Sequence, residues 1–319
     1  MIQQRIITYL FVPATKRRFI DRMVKGGVQY PDWLIFDFED AIRDVFDLEN
    51  EGSLKLSARE TLTSYLPFPD DVRKRYLLRI NAVGSSPFEA DIEFLKSTKK
   101  YPPYAVMLPK VETADDVMAL EIRSPSTMKI IPLIESEKGV QNIDSILKSS
   151  KKIDSFCFGH MDYFLGKKRF PVPMTVKESR ELADTITKLI NSARRNNKEY
   201  IDMGYYYYGR WEDLKTHCSY LTFISKGQVR IGKLVMHPEQ ITILNNMDMS
   251  IPSEYPLTIS NDHIMSKTKI RDYAKNIVKT YENRPNKTVG VCMMGDIILT
   301  PQLYILAKNY LKNDVVRDS

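Results

Sequence analysis

Cysteine is scarce in this 319-residue chain, which contains only Cys157, Cys218 and Cys292. These three are far apart and match no metal-ligand or redox spacing, so we predict no disulfide. The sequence also lacks a secretory signal pattern and any apolar run long enough to cross a bilayer. We therefore expect a cytoplasmic protein with no membrane partner.

Signals for nucleotide and nucleic-acid binding are also missing. No glycine-rich phosphate fingerprint follows any early strand-like segment. The chain carries 47 basic and 40 acidic side chains, and this net charge of +7 would suit an anionic ligand. The basic residues are scattered, however, and no aromatic and basic stripe is present, so we predict no nucleic-acid partner.

The chain does contain a repeated pattern, in which a short apolar segment is followed by a polar turn and usually a helical pattern. Eight such units are expected of an α/β fold of the (β/α)8 TIM barrel type, whose usual length of about 250 residues fits Ile6 to about Asn246. A doubly wound open sheet is the competing architecture, although a count of eight favours closure. The predicted strands are Ile6 to Pro13, Trp33 to Asp40, Tyr76 to Asn81, Ala105 to Lys110, Ile130 to Glu135, Ser155 to Asp162, Tyr200 to Tyr206 and Lys233 to His237.

The C-terminal strand ends carry the chemistry in such barrels, so the informative residues are those where each apolar run turns polar. The fifth run ends in Glu135 and the sixth in Asp162. Two acids at the ends of successive strands can bind one divalent cation between them. The alternative is that each acid caps the helix after its strand and has only a structural role. The other residues at these ends are Pro13, Glu39, Asp40, Arg79, Asn81, Lys110, Asp202 and His237.

Composition limits the number of domains. With 43% hydrophobic residues, the chain can bury a full core, and the stretch after the barrel is too short for a second large domain. We predict a barrel domain over residues 1–250 and a short C-terminal helical lid over residues 251–319, which also serves oligomerisation.

Eight short motifs occur in order along the chain, most of them at a predicted strand end or in the turn after it. They are Leu10-Phe11-Val12-Pro13, Asp37-Phe38-Glu39-Asp40-Ala41, Lys55 with Ala58-Arg59, Arg79-Ile80-Asn81, Pro109-Lys110-Val111-Glu112, Ile134-Glu135 with Gly139, Phe158-Gly159 with Asp162, and Gly232-Lys233 with His237-Pro238 and Gln240. Together they resemble the citrate lyase β-subunit group of the HpcH/HpaI aldolase superfamily, and the match extends from Leu10 to about Leu311.

This resemblance implies an enzyme that binds Mg2+ and acts on short keto or hydroxy acids, often as coenzyme A thioesters. It implies that Glu135 and Asp162 are the metal ligands, and that Arg79 binds the substrate carboxylate or carbonyl oxygen. Glu39 and Asp40 would hold metal-bound waters or orient Arg79. A guanidinium suits this role because it binds a planar carboxylate through a fork and stabilises developing negative charge. A structural ion pair between Arg79 and Glu39 is compatible with it.

Four more residues are candidates for substrate or cofactor binding: Lys16 and Arg18 in the basic entry loop, Pro109, and His237. The entry loop is one residue shorter than the usual family pattern and lacks its glycine, which bears on coenzyme A binding. His237 is either a rim residue or a catalytic one. His160 stands where the family usually has no histidine, and it either contacts substrate or packs.

The C-terminal segment resembles the family's lid, but Leu299 occupies a position that is aspartate in relatives with malate synthase or malyl-thioester hydrolase activity. Those relatives supply this aspartate to a neighbouring subunit's site. Leucine cannot accept or deliver a proton. If Leu299 faces a neighbouring site, the chain should hydrolyse thioesters poorly, with Asp296 as the nearest substitute.

These observations predict a Mg2+-dependent carbon-carbon lyase or aldolase that acts on a short keto or hydroxy acid or its coenzyme A thioester. Two alternatives stay open, namely a thioester-processing enzyme of the same family and a non-catalytic barrel subunit of a larger complex. We expect a homo-oligomer, either a trimer or a hexamer.

Overall fold

A closed parallel barrel is the centre of the computed structural model, which describes residues 5–25, 30–42, 45–248, 250, 255, 266–285 and 290–317. Its eight strands pair in chain order, and the last pairs with the first. The predicted (β/α)8 TIM barrel is therefore confirmed. The strands are β1 (Ile7–Pro13), β2 (Trp33–Asp37), β3 (Tyr76–Arg79), β4 (Ala105–Leu108), β5 (Lys129–Ile134), β6 (Ser155–Phe158), β7 (Glu199–Asp202) and β8 (Ile231–Val235).

Helices follow the strands, and several begin at caps that the sequence supplies. The Ser136 hydroxyl accepts a hydrogen bond from Gly139 N at 3.1 Å, and Thr113 with Asp116 forms a capping box. None of the described helices is long and apolar enough to cross a membrane. The helices around the barrel are α1 (Arg17–Val24), α2 (Leu48–Thr63), α3 (Asp70–Arg73), α4 (Phe88–Ser97), α5 (Ala114–Glu121), α6 (Glu137–Gln141), α7 (Ile143–Lys148), α8 (His160–Gly166), α9 (Arg180–Asn196), α10 (Trp211–Ser225) and α11 (Pro238–Asn245), with 3-10 turns at Asp40–Ile42 and Val176–Glu178.

Strand side chains alternate between two packed layers, because successive residues of a strand point to opposite faces. Residues such as Leu10 and Phe36 belong to the large layer between strands and helices. The same alternation, continued to the C-terminal strand ends, places polar side chains inside the barrel mouth. The inner layer consists of Tyr9, Ile35, Leu77, Ala105, Met107, Ile131, Leu133, Cys157, Ile201 and Leu234.

The C-terminal segment packs on the barrel of its own chain. It comprises α12 (Lys267–Glu282), the antiparallel strands β9 (Cys292–Met294) and β10 (Ile297–Leu299), and α13 (Pro301–Arg317). Backbone hydrogen bonds dock it on the loop after β7: Ile298 N donates to Tyr206 O at 2.8 Å, and Tyr208 N donates to Asp296 O at 2.7 Å. We call residues 290–317, which contain β9, β10 and α13, the lid.

Seven of the eight strands end earlier than the sequence predicts, and three of them do so by three or four residues. β2 ends at Asp37 rather than Asp40, β6 at Phe158 rather than Asp162, and β7 at Asp202 rather than Tyr206. A helix or a 3-10 turn begins soon after the first two of these ends, so Asp40 and Asp162 lie in helical turns above the strands.

Asp202 and Asn81, two predicted rim residues, are buried in structural networks instead. Because Ile201 faces the barrel interior, Asp202 points outward, where its Oδ2 atom lies 2.5 Å from Lys233 Nζ and 2.9 Å from His217 Nε2. Asn81 donates through its backbone and side-chain nitrogens to Asp91 at 2.7 Å. A polar residue at a strand end therefore reaches the site only if it lies on the inner face.

Candidate active site

A cavity of about 70 Å3 opens inside the C-terminal end of the barrel. This volume is several times the roughly 15 Å3 that one water molecule requires, so it suits a short acid rather than a large ligand. Barrel strands, the turns above them and the lid all contribute to its lining. The polar side chains that line it are Asp37, Asp40, Arg79, Glu135, His160, Asp162, Tyr206, Thr300 and Gln302.

Arg79 is held at the end of β3 by acids from β2 and the following turn. Its Nε donates to Asp37 Oδ1 at 2.7 Å, its second terminal nitrogen pairs with Asp37 Oδ2, and its first lies 3.0 Å from Glu39 Oε2. The guanidinium lies 4.5 Å from the centre of the Phe11 ring. Burial would lower the pKa of Arg79, but Asp37 and Glu39 outweigh burial and raise it. The guanidinium is therefore charged and fixed in one orientation.

Asp37 was not among the sequence candidates, although it organises this part of the site. Besides Arg79, its carboxylate accepts hydrogen bonds from Glu39 N at 2.9 Å and Ala41 N at 3.1 Å. It is fully buried at the end of β2. The strand alternation provides the missing signal, because Asp37 lies two residues after the inward-facing Ile35.

Glu135, which follows β5, is buried against the neighbouring strand ends. Its Oε1 atom accepts a hydrogen bond from Lys110 N at 2.8 Å, where Lys110 has a positive φ of 56°. Gly159 lies on the other side, and a Cβ atom there would come within 2.7 Å of Glu135 Oε2. The glycine in the Phe158-Gly159 motif therefore makes room for this carboxylate.

The acids in the cavity perturb one another. Burial raises the pKa of Glu135, and the charges of Asp162, Glu39 and Asp40 raise it further. Burial also raises the pKa of Asp40, and the charge of Asp162 raises it further. The pKa of Glu39 is raised in the same way, by burial and then by the charge of Asp40. Lys110 opposes these shifts, since its Nζ lies 3.1 Å from Glu39 Oε1. A bound cation would relieve the repulsion that remains.

The donor set fits Mg2+ better than a metal held by protein ligands alone. In the described part of the chain, no group of three or more His, Cys, Asp or Glu side chains is arranged to hold a metal. Mg2+ is commonly held by one or two carboxylates, with water and substrate oxygens completing its octahedron. Glu135 and Asp162 both line the cavity and interact electrostatically, so this pair meets that requirement.

The four predicted substrate- or cofactor-binding residues do not line this cavity. Lys16 precedes α1 and is half-buried, and Arg18 is exposed in the first turn of that helix. Pro109 is buried after β4. His237 caps α11, where its Nδ1 accepts a hydrogen bond from Glu239 N at 3.3 Å. The structure thus brings together Asp40, Arg79, Glu135 and Asp162 at the cavity, with Glu39 in contact with Arg79, and leaves these four outside.

Tyr206 and two lid residues are members of the cavity that sequence reasoning missed. Tyr206 belongs to the run of four tyrosines at residues 205–208, it lines the cavity, and burial raises the pKa of its phenol. Gln302, in the first turn of α13, donates through Nε2 to Asp40 Oδ2. Thr300 immediately precedes that helix. No local pattern identifies the lid residues, because they reach the barrel only through tertiary packing.

Leu299 lies in β10 and is fully buried in the hydrophobic core of its own chain. Its side chain is therefore covered by its own chain, and the condition under which poor thioester hydrolysis was predicted is not met here. Asp296 pairs with Arg210 Nε at 2.6 Å and does not line the cavity. The lid consequently lines the cavity of the chain to which it belongs.

A larger cavity of about 400 Å3 lies at the opposite end of the barrel, among the strand beginnings. Two pairs of its charged residues form ion pairs, with Lys129 Nζ 2.7 Å from Asp154 Oδ2 and Arg230 Nε 3.6 Å from Glu199 Oε2. Conserved chemistry in TIM barrels lies at the C-terminal end, whereas the N-terminal end serves stability. We therefore assign function to the smaller cavity.

Residues 8–213 match the family model of the HpcH/HpaI aldolase/citrate lyase family. This match covers most of the barrel, and the chain belongs to this family. It confirms the resemblance that the eight motifs indicated.

Solved structures with the same fold include protein CitE from Mycobacterium tuberculosis in complex with magnesium and pyruvate. That structure has a TM-score of 0.61 and 20% identity, and the match covers 86% of this chain and 98% of the other. The complex of CitE with magnesium, acetoacetate and coenzyme A has a TM-score of 0.60 and 18% identity, with 98% of each chain covered. RipC from Yersinia pestis has a TM-score of 0.57 and 22% identity, covering 78% of this chain and 96% of the other. No curated protein sequence matches the chain at a significant level.

Proposed function

We propose that this protein is a Mg2+-dependent carbon-carbon lyase or aldolase that acts on a short keto or hydroxy acid. The observation that carries the proposal is the small cavity in which Arg79 lies with the acids Glu135 and Asp162. The family contains aldolases and citrate lyases, and its structural neighbour CitE has been solved with magnesium and pyruvate. The cavity volume of about 70 Å3 favours a substrate of a few carbon atoms.

In this proposal, Glu135 and Asp162 hold the metal ion. Bound there, Mg2+ would act as a Lewis acid that polarises a substrate carbonyl oxygen. Glu135 is positioned for this role because Lys110 N fixes one carboxylate oxygen while Gly159 leaves space beside the other.

Arg79 binds the substrate carboxylate or carbonyl oxygen. Cleavage of a carbon-carbon bond beside a carbonyl leaves negative charge on that oxygen, which a fixed guanidinium stabilises without reorganising. Asp37 binds Nε and one terminal nitrogen of Arg79, and Glu39 lies beside the other terminal nitrogen. Each terminal nitrogen carries two N–H groups, so one on each remains to bind substrate oxygens. Glu39 and Lys110 complete a chain of alternating charges that keeps Arg79 in place.

Asp40 connects the metal-binding acids to the lid. Its pKa is raised by burial and then by Asp162, and its Oδ2 accepts a hydrogen bond from Gln302. We assign Asp40 to orienting water in the metal's coordination shell. Closure of the lid over the cavity would then exclude bulk water from the reacting acid.

A coenzyme A thioester is the alternative substrate. One structural neighbour was solved with acetoacetate and coenzyme A, and Lys16 and Arg18 provide positive charge at the start of α1, after β1. These side chains would contact the phosphates of a thioester whose acyl group enters the cavity. For the assembly, we propose a homo-oligomer in which residues 1–250 form the barrel domain, and residues 251–319 form a C-terminal segment that contains the lid and serves oligomerisation.

The proposal is tested by incubating the protein and Mg2+ with oxaloacetate, malate, citramalate and the malyl and citramalyl thioesters of coenzyme A, and by following products with NMR. We expect one of these classes to be cleaved at a carbon-carbon bond. Cleavage of the free acids would select the first substrate class, and cleavage of thioesters alone would select the second. If Mg2+ binds and no compound is cleaved, the chain is a non-catalytic barrel.

A further inference from the structure

The larger cavity, of about 400 Å3, lies at the N-terminal end of the barrel, at the opposite end from the proposed active site. Its floor consists of apolar side chains from the inner layer of the barrel, among them Leu77, Ala105 and Ile131. Ligand pockets commonly measure roughly 300–1,000 Å3 and combine apolar and aromatic walls with a few polar groups. The larger cavity therefore has the size and the floor of a ligand site.

One side of this cavity is an aromatic wall formed by Trp33 and Tyr104. Trp33 begins β2 and Tyr104 immediately precedes β4, and the centroids of their rings lie 4.7 Å apart. Tyr104 is 49% exposed and Trp33 is half-buried, so part of this aromatic surface stays open. Flat aromatic groups pack favourably on such rings. The wall therefore favours a ligand with an aromatic ring.

The opposite side of the cavity is basic. Because the eight strands pair in chain order around a closed barrel, the side between β2 and β4 faces the side between β6 and β8 across the axis. Lys198 immediately precedes β7 and Arg230 immediately precedes β8, and both line the cavity. A molecule that extends from the aromatic wall across the floor therefore meets positively charged side chains.

The charges that line the cavity do not cancel. Three bases, Lys129, Lys198 and Arg230, stand against two acids, Asp154 and Glu199. Lys129 Nζ lies 2.7 Å from Asp154 Oδ2, and Arg230 Nε lies 3.6 Å from Glu199 Oε2. These two ion pairs use both acids, so the charge of Lys198 is left over.

Lys198 has capacity to bind an anion. Its side chain is half-buried, and its Nζ atom donates a hydrogen bond to the backbone oxygen of Ile153. Among the residues that the structure describes, it forms no ion pair. An ammonium group has three N–H donors, so two are available for a carboxylate of a ligand.

We propose that the larger cavity is a second ligand site, which binds a flat aromatic acid of one or two rings. The rings lie on the apolar floor against Trp33 and Tyr104, and the carboxylate binds Lys198 on the opposite side. The volume of about 400 Å3 admits a two-ring compound, whereas the active-site cavity of about 70 Å3 does not. The site uses no residue of the proposed lyase chemistry and stands independently of it.

The test compares three probes of nearly equal size by isothermal titration calorimetry on the full chain. 2-Naphthoate has both aromatic rings and a charge, 2-naphthamide lacks the charge, and decahydro-2-naphthoate lacks the aromatic rings. We expect 2-naphthoate to bind about tenfold more tightly than the amide, because hydrogen bonds to charged groups are the stronger ones. It should also bind about three- to tenfold more tightly than the saturated acid, which cannot stack on the aromatic wall.

Two variants locate the binding. Lys198→Gln should weaken 2-naphthoate about tenfold and change the affinity for the amide less than twofold, because only the charge is lost. Tyr104→Ala should weaken both aromatic probes by about three- to tenfold. If Lys198→Gln fails to fold, as judged by its melting curve, Lys198→Met replaces it.

Lys152→Gln is the matched control for the lysine. Lys152 is also half-buried, and its Nζ also donates to a backbone oxygen, that of Pro125, at 3.3 Å, but it does not line the cavity. This variant should bind all three probes as the unmodified protein does. Saturation with Mg2+ and pyruvate should likewise leave the affinity for 2-naphthoate unchanged.

Several results would overturn the second site. Equal affinity for 2-naphthoate and 2-naphthamide would remove the role of the charge, and unchanged affinity in both Lys198→Gln and Tyr104→Ala would place binding elsewhere. Displacement of 2-naphthoate by Mg2+ with pyruvate, or no binding of 2-naphthoate at millimolar concentration, would also contradict the proposal. The lyase proposal is tested separately by cleavage and is not affected by these outcomes.

Discussion

Glu135 shows at the level of a single residue why a cation is expected in the cavity. Several carboxylates in one small buried space destabilise one another unless a positive charge joins them. Glu135 is only 6% exposed, and burial and three neighbouring acids raise its pKa. The proposed role of Glu135 as a metal ligand would therefore come with a cost to the stability of the metal-free protein.

Glu135→Gln and Asp162→Asn each remove one anionic ligand with almost no change in volume. We expect either change to weaken Mg2+ binding by about tenfold or more and to abolish cleavage, while the melting temperature stays constant or rises. Calorimetric titration with Mg2+ provides the measurement. Glu137→Gln is the control, because Glu137 pairs with Lys167 at 2.6 Å outside the cavity. Undiminished Mg2+ affinity in both variants would contradict the metal assignment.

Arg79→Lys keeps the positive charge but loses the planar fork that Asp37 and Glu39 hold. Turnover should fall roughly 100-fold, because the ammonium cannot reproduce the fixed donors that stabilise developing charge. Steady-state kinetics on the preferred substrate measure this loss. Arg59→Lys, which alters a 2.7 Å ion pair with Asp91 outside the cavity, should turn over at a near-normal rate. A normal rate for Arg79→Lys as well would leave Arg79 with a structural role only.

At the scale of strands and helices, alternation decides which polar residues reach the site. The eight strands were predictable from their apolar runs, and Arg79 and Glu135 were predicted as polar residues that end two of those runs. They reach the cavity because they follow inward-facing Leu77 and Leu133 by two residues. The prediction that Asp202 lies at the site was wrong, because the sequence analysis did not consider whether a polar residue at a strand end faces into or out of the barrel. Asp162 was located correctly on the cavity, although it lies in α8 rather than in the strand.

Asp202→Asn tests the structural network between the barrel and α10. Burial would raise the pKa of Asp202, but Lys233 and His217 outweigh it and lower the pKa. Since the folded pKa is depressed, the stabilisation is fully present above the unfolded value of about 3.9 and is lost as the pH falls below it. At pH 7 the variant leaves Lys233 without its charged partner, so the free energy of unfolding should fall by about 3 kcal/mol in urea titrations. An unchanged free energy would contradict the network's role.

Gly290→Ala tests how the lid docks. An added Cβ atom would lie 2.9 Å from the backbone oxygen of Asp40, which requires the lid or the turn to move. We expect kcat/KM to fall by about 10- to 100-fold, with little loss of barrel stability. Gly52→Ala in α2 is the control, because nothing lies within 4 Å of its added Cβ, and it should stabilise the protein slightly. Equal kinetics for both variants would show that lid position does not matter for the reaction.

At the scale of the whole molecule, one chain provides both the barrel and the lid of its cavity. The hydrogen bond from Gln302 to Asp40 spans 262 residues of sequence. No local pattern encodes such a contact, and for this reason the lid residues could not be predicted, whereas the barrel, built from repeated local units, could. The family motifs located the acids and Arg79 but gave no information on how the lid folds.

The metal dependence of carbon-carbon cleavage tests the central claim most directly. The rate should be measured on the best substrate of the acid and thioester panel with Mg2+, with excess EDTA, and after Mg2+ is restored. We predict cleavage with Mg2+, a loss of at least about 100-fold in EDTA, and full recovery on adding Mg2+ back, because the acids around Glu135 and Asp162 need the cation to act. Cleavage that continues unchanged in EDTA would contradict the assignment of these acids as the metal site of a lyase.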